Sequence, residues 1–182
     1  MAPFYTGQGD FGDTGYLGEG RISKTSLRIE ALGSVDEATA ALGMARALSH
    51  SETTQSIILH IQRTLYYLMA ELSADPKTAP RFDKISQGDI TWLETQIETL
   101  ENTVVLPREF ILPGECPASG ALALARTIIR RAERRTIALF EAKGFEKSLL
   151  IAYLNRLSSL IFVLEVCENT QTGHSTQLAK EE

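Results

Sequence analysis

Leu122-Ala123-Leu124-Ala125-Arg126-Thr127-Ile128-Ile129-Arg130-Arg131-Ala132-Glu133-Arg134-Arg135 carries two helical stripes at once. Leu122, Ala125, Ile129 and Ala132 recur at the three- and four-residue spacing of one helix face, an apolar stripe suited to a core. Arg126, Arg130 and Arg134 recur at i, i+4 and i+8 and flank that stripe, so three guanidinium groups stack at the edge of the core. Like charges at this spacing destabilise an isolated helix by roughly 0.2–0.5 kcal/mol per pair. A polyphosphate would offset that cost, because guanidinium forks bind phosphate oxygens in pairs. The bland alternative is a solvated face of Arg–Glu pairs, with Glu133 or a neighbouring subunit supplying the carboxylates. The ladder by itself does not choose between the two.

Outward from the ladder, Pro117 suits the first turn of this helix, which the spacing extends to Lys143 and Gly144 stops. Residues 102–116 connect into it and end in Phe110-Ile111-Leu112-Pro113-Gly114, which reads as extended and then turned. A further helix is predicted from about Glu146 to Glu168 through Leu150, Tyr153, Leu154, Leu157, Ile161 and Leu164, and the polar tail from Thr170 is expected to fray. Towards the N-terminus, helices are predicted from Ser23, as N-cap, to Leu48, from Glu52 to Ala74, and from Ser86 to Glu101. Pro76 to Phe82 breaks the second from the third. No strand-like alternation of useful length competes. The expected fold is all-α, a five-helix bundle in a single domain spanning 1–182.

Residues 1–22 are different. They hold six of the 13 glycines and no helical period, so they read as a glycine-rich N-terminal loop. Such a loop feeding a helix can offer backbone N–H groups to phosphates, and Lys24 adds a point charge. It is not a P-loop, and a flexible arm is the alternative. Elsewhere, Asn155-Arg156 interrupts a leucine-rich helix and implies a hydrogen-bonding duty, while Asp36-Glu37 reads most simply as a salt-bridging pair.

Composition narrows the classes. A chain of 182 residues with 43% hydrophobic content can bury one substantial core. The net charge of −5 argues against general nucleic-acid or membrane-surface binding and makes the ladder a local basic site in an acidic protein. Cys116 and Cys167 give neither a disulfide framework nor a metal-ligand spacing. No signal-peptide layout is seen, so a cytoplasmic protein without a membrane span is expected. His50, His60 and His174 are scattered, and no Ser-His-Asp or Cys-His nucleophile set is present, so the metal ligands remain unassigned.

Taken together these stretches resemble the PduO-type ATP:cob(I)alamin adenosyltransferases. Thr6 to Thr14 follow that family's opening loop except at two positions, and Arg21, Ile22 and Lys24 follow its next motif. Arg28, Ile29, Ala31, Gly33, Val35, Asp36 and Glu37 match a third, and Phe110 to Gly114 a fourth. The ladder from Ala125 to Arg134 and Tyr153 to Ser158 are complete. Gly7 stands where the family has lysine, Ser159 where it has aspartate and Ala123 where it has a common histidine.

The resemblance implies a homotrimer with active sites between subunits that transfers the 5′-deoxyadenosyl group of ATP to cobalt and releases triphosphate. ATP would be held by Thr6, Gly7, Gln8, Gly9, Thr14, Gly15, Lys24, Arg130, Arg131, Ala132, Glu133, Arg134 and Asn155. Arg126 would pair with Asp36 of a neighbouring subunit, and Phe110 would press on the lower face of the corrin. ATP and cob(I)alamin would be the substrates, with Mg²⁺ on the triphosphate. A cobalamin reductase and an adenosylcobalamin-dependent enzyme would be partners. The rival reading, sustained by Gly7, is a non-catalytic carrier or sensor that binds nucleotide or corrinoid.

Overall fold

Four serines and a cysteine set where the long helices begin. The computed structural model describes residues 5–75, 77–142, 144 and 148–180. In chain order these form β1 (Asp13–Gly15), β2 (Arg21–Ser23), α1 (Leu27–Leu48), α2 (Glu52–Ser73), the single turn α3 (Ala79–Phe82), α4 (Gln87–Glu101), α5 (Pro117–Glu141) and α6 (Leu149–Gln171). Ser26, Ser51 and Ser148 accept hydrogen bonds from the first free backbone N–H groups of α1, α2 and α6. Ser86 with Asp89, and Cys116 with Ser119, close reciprocal boxes at the heads of α4 and α5. Pro117 follows in the first turn of α5, where its missing N–H removes nothing.

The all-α, five-helix expectation holds for the long elements, with three differences. Ser23 does not cap α1. It pairs with Asp13 in a small antiparallel hairpin of β1 and β2, so the chain stays extended until Ser26. That hairpin also puts two short strands inside the glycine-rich segment. The segment expected to fray from Thr170 continues α6 to Gln171, turns at Gly173 (φ 75°) and runs beside Phe110–Leu112. Leu112 N–H donates to Gln177 O at 2.9 Å and Ala179 N–H to Phe110 O at 2.7 Å, which gives its backbone partners. The expected helix break at Pro76, the α5 end at Lys143 and the α6 start at Glu146 lie outside the described residues.

Helix α1 packs on α5 and α2, and α6 packs on α5 and α4. The α1 face is small: Ala31, Val35, Ala38, Leu42 and Ala45 are fully buried and meet Ala125, Ile129 and Ala132 of α5 in one core cluster. Small residues let the two helices approach closely. Larger side chains, Ile58, Ile61 and Leu65 of α2 with Leu154, Leu157 and Ile161 of α6, fill the rest of that cluster. By length and composition α6 is apolar enough to cross a membrane, yet its apolar faces are covered as the inner helix of the bundle.

Arg28, only 8% exposed, ties α1 to the end of α2 by donating to the carbonyls of Leu72 and Ala74. Those carbonyls belong to the last turn of a helix and have no intrahelical donor. The same guanidinium lies 5.8 Å from the Tyr16 ring. Arg28→Met keeps the stem but orphans both acceptors, and is expected to lower stability by about 2 kcal/mol. Urea unfolding measures it; an unchanged midpoint would show that the carbonyls find water instead.

Candidate functional site

The arginines of α5 divide into two sets once α1 is in place. Helices α1 and α5 run antiparallel, with Glu37 on Arg131 and Glu30 3.7 Å from Arg135. These carboxylates occupy the 131/135 edge. Each pair is about half exposed and contributes at most ~1 kcal/mol, so it sets the rotation of α5 more than its stability. Arg130 and Arg134 lie on the adjacent edge, exposed, with no carboxylate partner among the described residues. Arg134 Nη1 reaches back to the Arg130 carbonyl at 3.1 Å. Arg131 and Arg135 are therefore in Arg–Glu pairs, made with α1 and not with Glu133, which bonds Asn155, while Arg130 and Arg134 have no such partner among the described residues. Ala132, named among the ATP residues by resemblance, is fully buried, and its side chain packs in the core.

Arg126, one turn earlier, points inward. Its Nε is 3.7 Å from Glu165 of α6 and its guanidinium 5.7 Å from the Phe162 ring. Glu165 is wholly buried, and neither its oxygens nor Arg126 Nε makes a hydrogen bond. Burial pushes the Glu165 carboxyl up, and Arg126 only partly opposes it. The sequence reading did not single out Glu165; an acid inside the run Leu160 to Val166 was the available signal. Asp36, the partner implied for Arg126 across a subunit boundary, is exposed on α1 and unpaired among the described residues.

Asn155 sits in a polar chain that crosses three helices. Its Nδ2 donates to Glu133 of α5 at 3.0 Å, its Oδ1 accepts from Arg156 at 2.9 Å, and Arg156 Nε meets Glu94 of α4 at 2.9 Å. Asn155 and Glu133 thereby hold α5 against α6 beside Arg130 and Arg134.

The N-terminal loop is shaped by two cations. Lys24 Nζ donates to Gly9 O at 2.7 Å, and Lys24 N–H to Gly12 O at 2.9 Å. A Cβ at Gly9 would lie 3.0 Å from that ammonium and 3.3 Å from Asp13 O, so a side chain there would push Lys24 out. Arg21 grips both Asp13 oxygens at 2.9 and 3.0 Å and donates to Gln8 O at 2.8 Å. The guanidinium holds the Asp13 carboxyl below its usual range. Thr6, Gly7, Gln8, Gly9, Thr14 and Gly15 thus line a folded turn rather than a loose arm, with Gly7 at φ 66°.

The loop enters α1 at the end of the bundle where α5 finishes, alongside the α2 terminus through Leu17 and Asp75. Phe110 leads towards the start of α5 and is 89% exposed. The 25 residues of α5 span about 37 Å at ~1.5 Å per residue, so loop and Phe110 stand at opposite ends. One copy of the chain places Arg126, Arg130 and Arg134 on successive turns of α5 with Asn155 bonded to the neighbouring Glu133, puts the loop beyond the far end of that helix and leaves Phe110 at the opposite end.

Residues 4–168 match the cobalamin adenosyltransferase family. The chain is 40% identical over 175 residues to a corrinoid adenosyltransferase of Mycobacterium bovis, covering 93% of this chain and 90% of that one. It is 35% identical over 178 residues to the corrinoid adenosyltransferase PduO of Salmonella typhimurium, covering 97% of this chain and 52% of the relative, so it spans about half of that protein. Among solved structures it is similar to a phenylalanine-to-alanine variant of a PduO-type ATP:corrinoid adenosyltransferase from Lactobacillus reuteri, complexed with cobalamin and ATP. The TM-score is 0.88 at 30% identity, over 98% of this chain and 100% of that one.

The Glu165 carboxyl has a testable pH signature. Its ionisation is harder folded than unfolded, so native stability declines as pH rises from about 4.5, the ordinary glutamate value, through the raised folded value. Glu165→Gln lacks that step. Tm measured against pH is expected to favour the Gln variant increasingly as pH rises through the window; parallel curves would show that Glu165 ionises as easily inside the bundle as in water.

Proposed function

Because the chain belongs to the cobalamin adenosyltransferase family, we propose that it transfers the 5′-deoxyadenosyl group of ATP to the cobalt of cob(I)alamin, giving adenosylcobalamin and triphosphate. The observation that carries this reading is the division of the ladder: Arg131 and Arg135 are tied to α1, while Arg130 and Arg134, on either side of the Glu133 that Asn155 bonds, stand exposed without a carboxylate partner among the described residues.

The chemistry asks little covalent work of the protein. The cobalt electron pair attacks C5′, the C5′–O bond breaks, and those electrons leave on the triphosphate oxygen. The chain must align the partners and neutralise charge that grows on the leaving group. Arg130 and Arg134 are placed for the second task, since two exposed guanidinium groups one turn apart face one edge. Lys24 and the turn from Thr6 to Gly9, with Thr14 and Gly15, hold the remaining phosphates and the nucleoside. No serine, cysteine or histidine nucleophile is required, because the metal substrate is the nucleophile.

No group of three or more His, Cys, Asp or Glu side chains suited to a metal occurs among the described residues. Mg²⁺ in this reading therefore arrives on the triphosphate as part of the substrate. The separation of loop and Phe110 supports a homotrimer with sites between subunits: a site using both draws the loop from one copy and Phe110 from another. The outward edge of Arg126, whose side chain is 29% exposed, is free to meet Asp36 of a neighbour. Phe110, 89% exposed, would then press on the lower corrin face and displace the lower axial ligand, which eases reduction of cob(II)alamin. A cytoplasmic setting, a cobalamin reductase and an adenosylcobalamin-dependent enzyme complete the reading.

The test mixes the protein with MgATP and chemically reduced cobalamin, follows the corrinoid spectrum and assays triphosphate. Binding without product would favour a carrier. Arg130→Ala is expected to lower kcat by about 10²–10³-fold, the usual loss of one charge-stabilising donor. Arg131→Ala, whose guanidinium already serves Glu37, is expected to lose less than about tenfold; equal losses would remove the distinction between the two edges. Phe110→Ala is expected to lose more rate from cob(II)alamin with a reductase than from preformed cob(I)alamin, and equal losses would remove its role in ligand displacement.

A further inference from the structure

The bundle is closed by close helix packing everywhere except on one side. Helix α2 packs on α1, and α4 on α6, but α2 and α4 do not pack along each other. Between them lies an open cavity of about 780 Å³, within the range of small-molecule sites, which form preferentially between helices of bundles. Across the opening His60 of α2 stacks on Trp92 of α4, centroids 3.9 Å apart.

The α2 wall is not a solvated face of ordinary composition. His60, Arg63, Thr64 and Tyr67 recur at i, i+3, i+4 and i+7, a second stripe beside the core stripe of Ile57, Ile61, Leu65 and Leu68. Lys84, in the connection that precedes α4, and Asp89, in the first turn of α4, face it. Neither Arg63 nor Lys84 has a carboxylate partner among the described residues. Asp89 uses Oδ2 to cap Ser86, at 2.9 and 2.6 Å, which leaves Oδ1 to accept from a ligand. Behind Thr64, the Tyr153 hydroxyl is buried, turned towards Thr64 and Asp89, and lacks a well-formed hydrogen bond.

We propose that this cleft is a second ligand site, separate from the ladder, which takes a nucleoside monophosphate. Arg63 and Lys84 from opposite walls supply more donors than a carboxylate can use and suit the oxygens of a phosphate. Tyr66 and Tyr67, 65% and 49% exposed, offer ring faces to a base, and Asp89 Oδ1 accepts from an amino or hydroxyl group. The site lies across α6 from the ladder: the buried Tyr153 hydroxyl is turned towards Thr64 of the cleft wall, while Asn155 bonds Glu133 of α5.

The chain has one tryptophan, Trp92, and it stacks on a wall residue of this cleft, so its emission reports the site without a label. AMP titrated into the intact protein is expected to change Trp92 emission saturably, equally well in Arg130→Ala. In the double variant Arg63→Ala/Lys84→Ala the affinity should fall at least about tenfold, the loss of one charge-assisted hydrogen bond, while adenosyl transfer stays at the native rate. Should that variant lose helical content, Tyr67→Ala carries the same expected fall in affinity. The proposal is overturned by no saturable response in the native protein, by a response lost in Arg130→Ala but kept in the double variant, or by orthophosphate binding as tightly as AMP.

Discussion

The contact between α1 and α5 governs the rest of the molecule. Its buried face is built from alanines with a few larger residues, Ala31, Val35, Ala38, Leu42 and Ala45 against Ala125, Ile129 and Ala132. Burying apolar area at roughly 25 cal/mol per Å² outweighs what two half-exposed ion pairs contribute, so the apolar stripe holds the helices together. The ion pairs decide something else. Glu30 and Glu37 take Arg135 and Arg131, and that choice turns the 130/134 edge outward. A rotation of α5 by one residue position, about 100°, would bring Arg130 and Arg134 to the edge that faces Glu37 and Glu30.

Three kinds of arginine follow from three environments. Arg28 is desolvated and offsets that by binding two helix-end carbonyls, a structural use. Arg126 faces a buried acid without a hydrogen bond and keeps an outer edge in solvent, an arrangement in which neither charge is fully compensated inside one copy. Arg130 and Arg134 are exposed and have no carboxylate partner among the described residues, which suits groups that bind a polyphosphate from solution. The same residue type, repeated on one chain, is given different surroundings by burial and by the partners that each side chain meets.

Length imposes the remaining constraint. The N-terminal loop is fastened to the α1/α2 end by Leu17, Asp75 and Arg28, and Phe110 is fastened near the far end by its pairing with the residues after α6. Helices of this length do not bend enough to bring both to one point. A site that uses both is therefore a property of an assembly, and the exposed Asp36 and Arg126 edges are consistent with that.

Much was legible in the sequence because it is local. Helical periodicity gave the five long helices and their apolar stripes, and the resemblance rested on short motifs in order, of which the ladder and the Tyr153 to Ser158 run are complete. Ser23 misled because it is a good capping type one pairing away from the true cap; the cross-strand partner Asp13 is not visible in local spacing. The tail after Gln171 misled because its polar composition hides backbone pairing with Ile111 and Leu112. Which ladder arginines are free, that Glu165 lies under Arg126, and that α2 and α4 part around Arg63 and Lys84 were decided only by tertiary structure. Local pattern assigns a residue to a face of its own helix; the neighbour that meets that face is set by packing between segments far apart in the chain, and charge and hydration follow from that neighbour.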